Sequence, residues 1–275
     1  MAEWQYISSK NNSLVVRIAK LRDKKYRKSE GLFRFDGIKL FSEAVQNNAP
    51  IRYVFVSESA SERFVAEVEG SNIDAMLYIL SDDVFSKLTD EQAPEGIISV
   101  CENLSNVTKA EDLDSLASNL KENSLLMLES IRDAGNMGTI LRSAKAFGIS
   151  ALIISSDCAD LYNPKTVRAA MGALFTQRIV VVDDIAGTIE SFRKNGNRVF
   201  AAALEREAKK LGSFELRKGD IILIGNEGHG MPDVMLSECT ACLRIPMAGS
   251  TESLNASAAA ACILWEYHRA EIQTK

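Results

Sequence analysis

Three loops of the 275-residue chain carry the side chains that could do chemistry. The first runs from Glu129 to Gly138 and holds Asn136, with Arg142 in the helical pattern that follows. An arginine beside the exposed N–H groups of a helix start is a natural anion site. The second loop is Gly225-Asn226-Glu227-Gly228-His229-Gly230-Met231. Its glycines mean close backbone, and Glu227 sits among them where a carboxylate can meet a ligand or a partner loop. Its spacing is neither that of a Walker loop nor of G-x-G-x-x-G. The third loop follows Arg244-Ile245-Pro246-Met247 and brings Ser253, Asn255 and Ser257 to the start of an alanine-rich helix. Taken singly, these patterns also fit a surface arginine, a tight turn and an ordinary Ser/Asn helix cap. Their convergence is what points to a site.

The elements that would position the loops alternate. Strand-like apolar runs are 125–128, 151–154, 179–182, 199–204, 221–224 and 242–245, and helical patterns fall near 137–147, 164–174, 186–195, 232–238 and 254–270. That alternation predicts a parallel sheet covered on both faces. The three loops then lie beyond the carboxyl ends of the first, fifth and sixth strands, where such sheets bind ligands. Upstream, the pattern predicts a basic amphipathic helix over 10–28. An extended piece with Phe33 and Phe35 follows, then a helix from Ile38, a strand 51–56 and a helix from Ser61. A strand 77–80, a short helix from Asp82 and a strand 97–101 complete it. This is a small α/β domain, read as residues 1–106, with a polar linker 107–122 before a second domain 123–275.

Composition narrows the class. Hydrophobic residues make up 46% and charged residues 25%, as in soluble globular proteins. No apolar run approaches the roughly 20 residues of a membrane span, and the start lacks a charged-then-apolar leader, so a cytoplasmic protein is expected. Five scattered cysteines fit a reducing compartment, and Cys239/Cys242 have no second pair at zinc-ligand spacing, so no metal is expected. The net charge is −5, but residues 10–39 hold ten Lys/Arg against three acids, a local balance of +7. Residues 40–110 carry four basic and twelve acidic groups. A basic patch on an acidic protein can still meet phosphates, and Lys10, Lys24, Lys25, Arg27 and Lys28 are its candidates for RNA contact. A solvated helix face is the plainer reading of the same charges.

Order and spacing together give a resemblance. Asn136-x-Gly138-x3-Arg142, Ile224-Gly225-Asn226-Glu227-Gly228-x-Gly230, and Ile245-Pro246-Met247 with Ser253-Leu254-Asn255-Ala256-Ser257 resemble the SpoU family of the SPOUT superfamily, S-adenosylmethionine-dependent RNA 2′-O-ribose methyltransferases. The segment Asn163-Pro164-Lys165 through Ala173 looks like the family's helix after the second strand. Residues around Lys25, Arg27, Phe33, Phe35 and Asp36-Gly37 look more loosely like its ribosomal-protein-like RNA-binding domain. Ala134 stands where proline is common and Asn226 where serine is frequent.

What the resemblance implies is a deep trefoil knot in the C-terminal domain and a homodimer whose site borrows residues from the partner. Arg142 is then the residue acting at the ribose 2′-hydroxyl. A guanidinium keeps its proton at ordinary pH, so holding a phosphate and favouring a developing alkoxide suits it better than acting as base. Asn136, Glu227, Ser253 and Asn255 would hold Arg142, the nucleotide or the cofactor carboxylate. Leu204, Gly225, Glu227, Gly228, Ile245, Met247, Ser253 and Leu254 would bind S-adenosylmethionine. The substrate expected is structured RNA, rRNA ahead of tRNA. Base methylation, a non-catalytic RNA-binding protein on the same fold and a generic nucleotide-binding α/β protein are the alternatives.

Overall fold

The computed structural model describes residues 3–109, 124–203, 205, 207–226, 230–248 and 253–273, with side chains described as far as Arg269. The chain divides into two compact units, Met1–Ser105 with Asp160–Thr176, and Asn106–Ala159 with Gln177–Lys275.

The first unit opens with β1 (Trp4–Ile7), α1 (Ser13–Ala19) and α2 (Lys24–Glu30). Next come β2 (Leu32–Asp36), α3 (Ile38–Gln46), β3 (Ile51–Ser57) and α4 (Ser61–Gly70). It closes with β4 (Met76–Leu80), α5 (Asp82–Leu88) and β5 (Ile97–Glu102). The sheet order is β1-β4-β3-β5-β2. β1, β4 and β3 run parallel, while β5 is antiparallel to both β3 and β2. Val15, Ile18 and Leu21 are buried with Phe55, Leu80, Ile98 and Val100 in its core.

The single helix expected over 10–28 is broken. Asn12 caps α1 by accepting from the N–H groups of Leu14 and Val15, a 3-10 turn covers Lys20–Arg22, and α2 starts afresh after Asp23. The apolar period runs through the break because Leu21 is still buried there. A periodicity count cannot see the change of helix type. β1, whose side chains are largely outside the core, had no sequence signal.

The second unit contributes β6 (Val107–Lys109), β7 (Leu125–Leu128), α6 (Ala134–Ala146) and β8 (Ala151–Ser155). The chain then passes through α7 (Pro164–Ala170) and α8 (Ala173–Thr176), which belong to the first unit. It returns with β9 (Arg178–Val182), α9 (Ile185–Lys194), β10 (Val199–Ala202) and β11 (Lys209–Lys210). Last are β12 (Ile221–Ile224), α10 (Asp233–Glu238), β13 (Ala241–Arg244) and α11 (Ala256–Gln273). The order is β11-β13-β10-β12-β7-β8-β9-β6, and every described pairing in it is parallel. Leu125, Met127, Ile153, Ala201 and Leu223 pack with Ile185, Ile189 and Phe192 of α9. The alternate residues Leu126, Leu128, Leu152, Ile154 and Ile222 are buried as well and point to the opposite face, so both faces are covered.

All six expected strands form. Two polar edge strands, β6 and β11, lack an apolar signal and were not expected, and β6 falls at the start of the stretch read as linker. The rest of that linker, 110–122, lies outside the described residues. The helix expected over 164–174 is divided, because Met171 and Gly172 take positive φ angles of 47° and 89° between α7 and α8. α6 ends as its sequence predicts. Gly148 adopts φ 74°, and the N–H groups of Ile149 and Gly148 reach the carbonyls of Ala144 and Lys145, the paired bonds of a Schellman cap.

Candidate functional site in the parallel-sheet unit

Parallel strands deliver their last residues to one edge of the sheet, and a polar network assembles there. Glu129 and Ser130 follow β7, Ser155 ends β8 and Asn226 follows β12. Ser130 is in the left-handed region at φ 52°, which costs a residue with a Cβ about 1–2 kcal/mol. Its own bonds hold it there. The Ser130 N–H donates to Ser155 Oγ at 2.8 Å, and Ser130 Oγ donates to Asp157 Oδ2 at 2.6 Å. The Ser130 carbonyl accepts from Asn226 Nδ2 at 2.9 Å. Ser155 Oγ donates to Asp157 Oδ1 at 2.6 Å and Arg132 Nη2 to Asp157 Oδ2 at 3.1 Å. Burial pushes the Asp157 carboxyl up, but the hydrogen bonds from Ser130, Ser155 and Arg132 outweigh it and hold the group below the usual range. Glu129 is the opposite case. Burial holds its carboxyl above the glutamate range, and Oε2 has no hydrogen-bond partner among the described residues.

Two helices begin beside this network. Asp133 caps α6 by accepting from the Asn136 N–H at 2.8 Å. Asn255 caps α11, its Oδ1 accepting from the Ser257 N–H at 3.0 Å and from Ser257 Oγ at 2.6 Å. The other end of the same amide, Asn255 Nδ2, donates to Asn136 Oδ1 at 3.0 Å. The first and third loops of the sequence are therefore bonded to each other.

A cavity of about 410 Å³ opens at the carboxyl ends of β10, β12 and β13, a size ordinary for small-ligand sites. Gly225, Ile245, Met247, Ser253 and Leu254, five of the expected cofactor residues, line it. Ala202, Ala203, Ala256 and Ala259 line it too, and these small side chains leave room for a flat ring. Gly225 packs tightly under Met231, and a Cβ there would have to displace the Met231 side chain. Apolar walls with Glu205 and Ser253 among the lining residues suit a ligand that is partly apolar and partly charged.

Arg142 lies on the exposed side of α6 and makes no hydrogen bond or ion pair among the described residues. Neither it nor Asn136 nor Asn255 lines the cavity of its own chain. Leu204, Glu227 and Gly228 lie outside the described residues, as does His229. Ser130, Asp157 and the wall residues Ala202, Ala203, Glu205, Met231 and Leu243 were not singled out from sequence. Their only common signal is a position at or beyond a strand end. The Cys239 thiol is buried and pushed up to about 11 by that burial, which leaves it inert at neutral pH.

In the first unit the basic candidates separate. Lys24, Lys25 and Lys28 are exposed on α2 and form no ion pair among the described residues. Lys10 is exposed and pairs with Asp83 at 2.5 Å. Arg27 corrects the expectation. It is 4% exposed, its Nη2 lies 2.6 Å from Asp160, and its Nη1 donates to the carbonyls of Leu21 and Arg22. All three of its nitrogens are engaged within the unit, so this buried guanidinium is spent on structure instead of on a phosphate.

A family model described as the SpoU rRNA Methylase family matches residues 123–265, and one described as the MRM3-like substrate binding domain matches residues 12–99. The 23S rRNA (guanosine(2553)-2'-O)-methyltransferase RlmP of Bacillus subtilis is 29% identical over 268 residues, spanning 94% of this chain and 97% of the relative. The 23S rRNA (guanosine-2'-O-)-methyltransferase RlmB of Coxiella burnetii is 31% identical over 229 residues, spanning 82% of this chain and 91% of the relative. Among solved structures, the SpoU methyltransferase AviRb from Streptomyces viridochromogenes in complex with AdoMet superposes with a TM-score of 0.80 at 27% identity, covering 95% of this chain and 99% of that one.

Proposed function

This chain belongs to the SpoU rRNA methylase family, and on that premise we propose that it transfers a methyl group from S-adenosylmethionine to a ribose 2′-hydroxyl of 23S ribosomal RNA. The observation that carries this reading is one piece of geometry. The cavity is lined by Gly225, Ile245, Met247, Ser253 and Leu254, and the residue after Leu254 is bonded to Asn136. The names of the relatives favour ribosomal RNA over transfer RNA.

The cavity fits the cofactor. Its alanines and glycine leave room for an adenine ring, Leu243 and Ile245 would offer apolar contact, and Ser253 and Glu205 would supply polar groups. When bound, S-adenosylmethionine supplies an electrophilic methyl on a sulfonium. The chain's own contribution is then positioning, which supplies on the order of 7–11 kcal/mol in good cases. The Asn136–Asn255 bond fixes two polar side chains relative to each other. We assign Arg142 to the phosphate next to the target ribose, where a fixed positive charge favours the developing alkoxide.

Arg142, Asn136 and Asn255 stand outside the cavity of their own chain, which supports a homodimer in which one copy completes the site of the other. Trp265, 51% exposed on α11 and stacked edge-on against Phe147, is a suitable centre for that contact. We also read the C-terminal unit as carrying the family's trefoil knot, and the RNA-binding domain, linker and methyltransferase domain as residues 1–106, 107–122 and 123–275. Lys24, Lys25 and Lys28 are assigned to RNA phosphates. A ribosomal substrate argues for a cytoplasmic enzyme, and no described helix is long and apolar enough to cross a membrane.

The test of the site is Arg142→Ala. Calorimetric affinity for S-adenosylmethionine should stay within about twofold while methyl transfer falls by 100-fold or more, the scale of losing one preorganised charge contact. Retained turnover would remove Arg142 from the site.

A further inference from the structure

One edge of the parallel sheet carries two cations that form no ion pair among the described residues. β11 pairs with β13, and the register sets Lys210 beside Arg244. Neighbouring strands lie about 4.8 Å apart and registered residues point to the same face, so two cations stand together. Like charges set opposite on a sheet are destabilising. The strands are pinned at this point all the same, by the Leu211 N–H donating to the Arg244 carbonyl at 2.8 Å. Both side chains are exposed, and neither has an ion pair among the described residues.

Three other arginines of the same unit, unlike Arg142, are neutralised locally. Arg198 holds Asp220 at 2.5 Å, Arg132 holds Asp157 at 3.1 Å and Arg269 holds Glu266 at 2.5 Å. Glu205 and Glu207, close in sequence, are exposed and bond to neither Lys210 nor Arg244. Lys209, on the opposite face, lies 5.4 Å from the centre of the Phe214 ring. Arg244 also lines the 410 Å³ cavity, so the uncompensated pair reaches its rim.

We propose that Lys210 and Arg244 form a phosphate-binding edge that takes the RNA backbone at the cavity mouth. The guanidinium offers a fork to two phosphate oxygens and the ammonium a compact point charge. Such contacts set the register of the nucleic acid without reading its bases. The inference rests on the RNA methyltransferase reading and adds a contact on the catalytic unit itself, separate from the lysines of α2.

The experiment measures binding of the full-length protein to total 23S rRNA against potassium chloride concentration. Wild type, Lys210→Gln, Lys210→Arg and the double variant Lys210→Gln/Arg244→Gln are compared. The slope of log K against log salt should become shallower by about 0.7–0.9 for each cation removed, and Lys210→Arg should restore it. Titration with S-adenosylmethionine should give the same affinity for Lys210→Gln as for wild type. Unchanged slopes in variants of an enzyme that still methylates would overturn the edge, as would a loss of cofactor affinity in Lys210→Gln. A wild-type protein that neither binds S-adenosylmethionine nor methylates RNA would instead overturn the reading on which the edge rests.

Discussion

The side-chain amide of Asn255 donates to the side-chain oxygen of Asn136 across 3.0 Å, while its own oxygen caps α11 through the Ser257 N–H. One residue therefore serves stability through its oxygen and alignment through its nitrogen. Asn255→Asp keeps a good cap, because an acid at a helix N-terminus is favourable, but loses the donor to Asn136. It should melt within a few degrees of wild type and lose most methyl transfer. Asn255→Ala should lose the activity and also about 0.5–2 kcal/mol of stability. Thermal melts beside transfer assays separate the two effects, and full activity in Asn255→Asp would show that the amide bridge has no part in catalysis.

Arg27 and the lysines of α2 should behave in opposite ways. In the 2.6 Å Arg27–Asp160 pair the arginine is buried and the aspartate half-buried, and removing the arginine leaves partly desolvated acceptors unpaired, at a cost of about 1–3 kcal/mol. Arg27→Ala should lower the denaturant midpoint sharply. Replacing Lys24, Lys25 and Lys28 together by glutamine should leave the midpoint nearly unchanged and cut the salt slope of RNA binding by about two units or more. A stable Arg27→Ala protein with a shallower salt slope would return Arg27 to the RNA surface.

Glu129 predicts a pH dependence. Burial, with the Asp157 charge adding to it, holds the carboxyl above its ordinary range against the hydrogen bonds of Ser130 and Ser155. The folded chain thus binds this proton more tightly than the unfolded one. The stabilisation is complete below about pH 4, the ordinary glutamate value, and is lost as pH rises through the raised one. Glu129→Gln removes the titration. The melting temperature of the variant minus that of wild type should grow from pH 4 to pH 7, and a constant difference would contradict the assignment.

Asn226 holds the strained Ser130 carbonyl at 2.9 Å and lines the cavity with Gly225. Asn226→Ala frees the loop and leaves that acceptor unpaired, a loss of about 1–1.5 kcal/mol. Cofactor affinity should fall about 5- to 10-fold by calorimetry. Unchanged affinity would mean that the loop is held by other groups.

The core of the parallel sheet was legible because strands such as Leu125–Leu128 and Ile221–Ile224 are buried on both faces and read as unbroken apolar runs. The edge strands were not, since Val107-Thr108-Lys109 and Lys209-Lys210 have too little apolar side chain to signal anything. The cavity residues Gly225, Ile245, Met247, Ser253 and Leu254 came from the resemblance to the SpoU family, whose motifs fall at strand ends here. Long-range bonds stayed invisible. Arg27 read as one more cation in a basic run because Asp160 is 133 residues away. The Asn226–Ser130 bond joins two loops that no local pattern connects.

The most direct measurement incubates the purified protein with labelled S-adenosylmethionine and unmodified 23S rRNA, then digests the RNA to nucleosides. The expected result is label in a single 2′-O-methylated nucleoside, absent when Arg142→Ala replaces wild type. Label on a base, or no transfer to any rRNA by a protein that binds the cofactor, would contradict ribose methylation of ribosomal RNA.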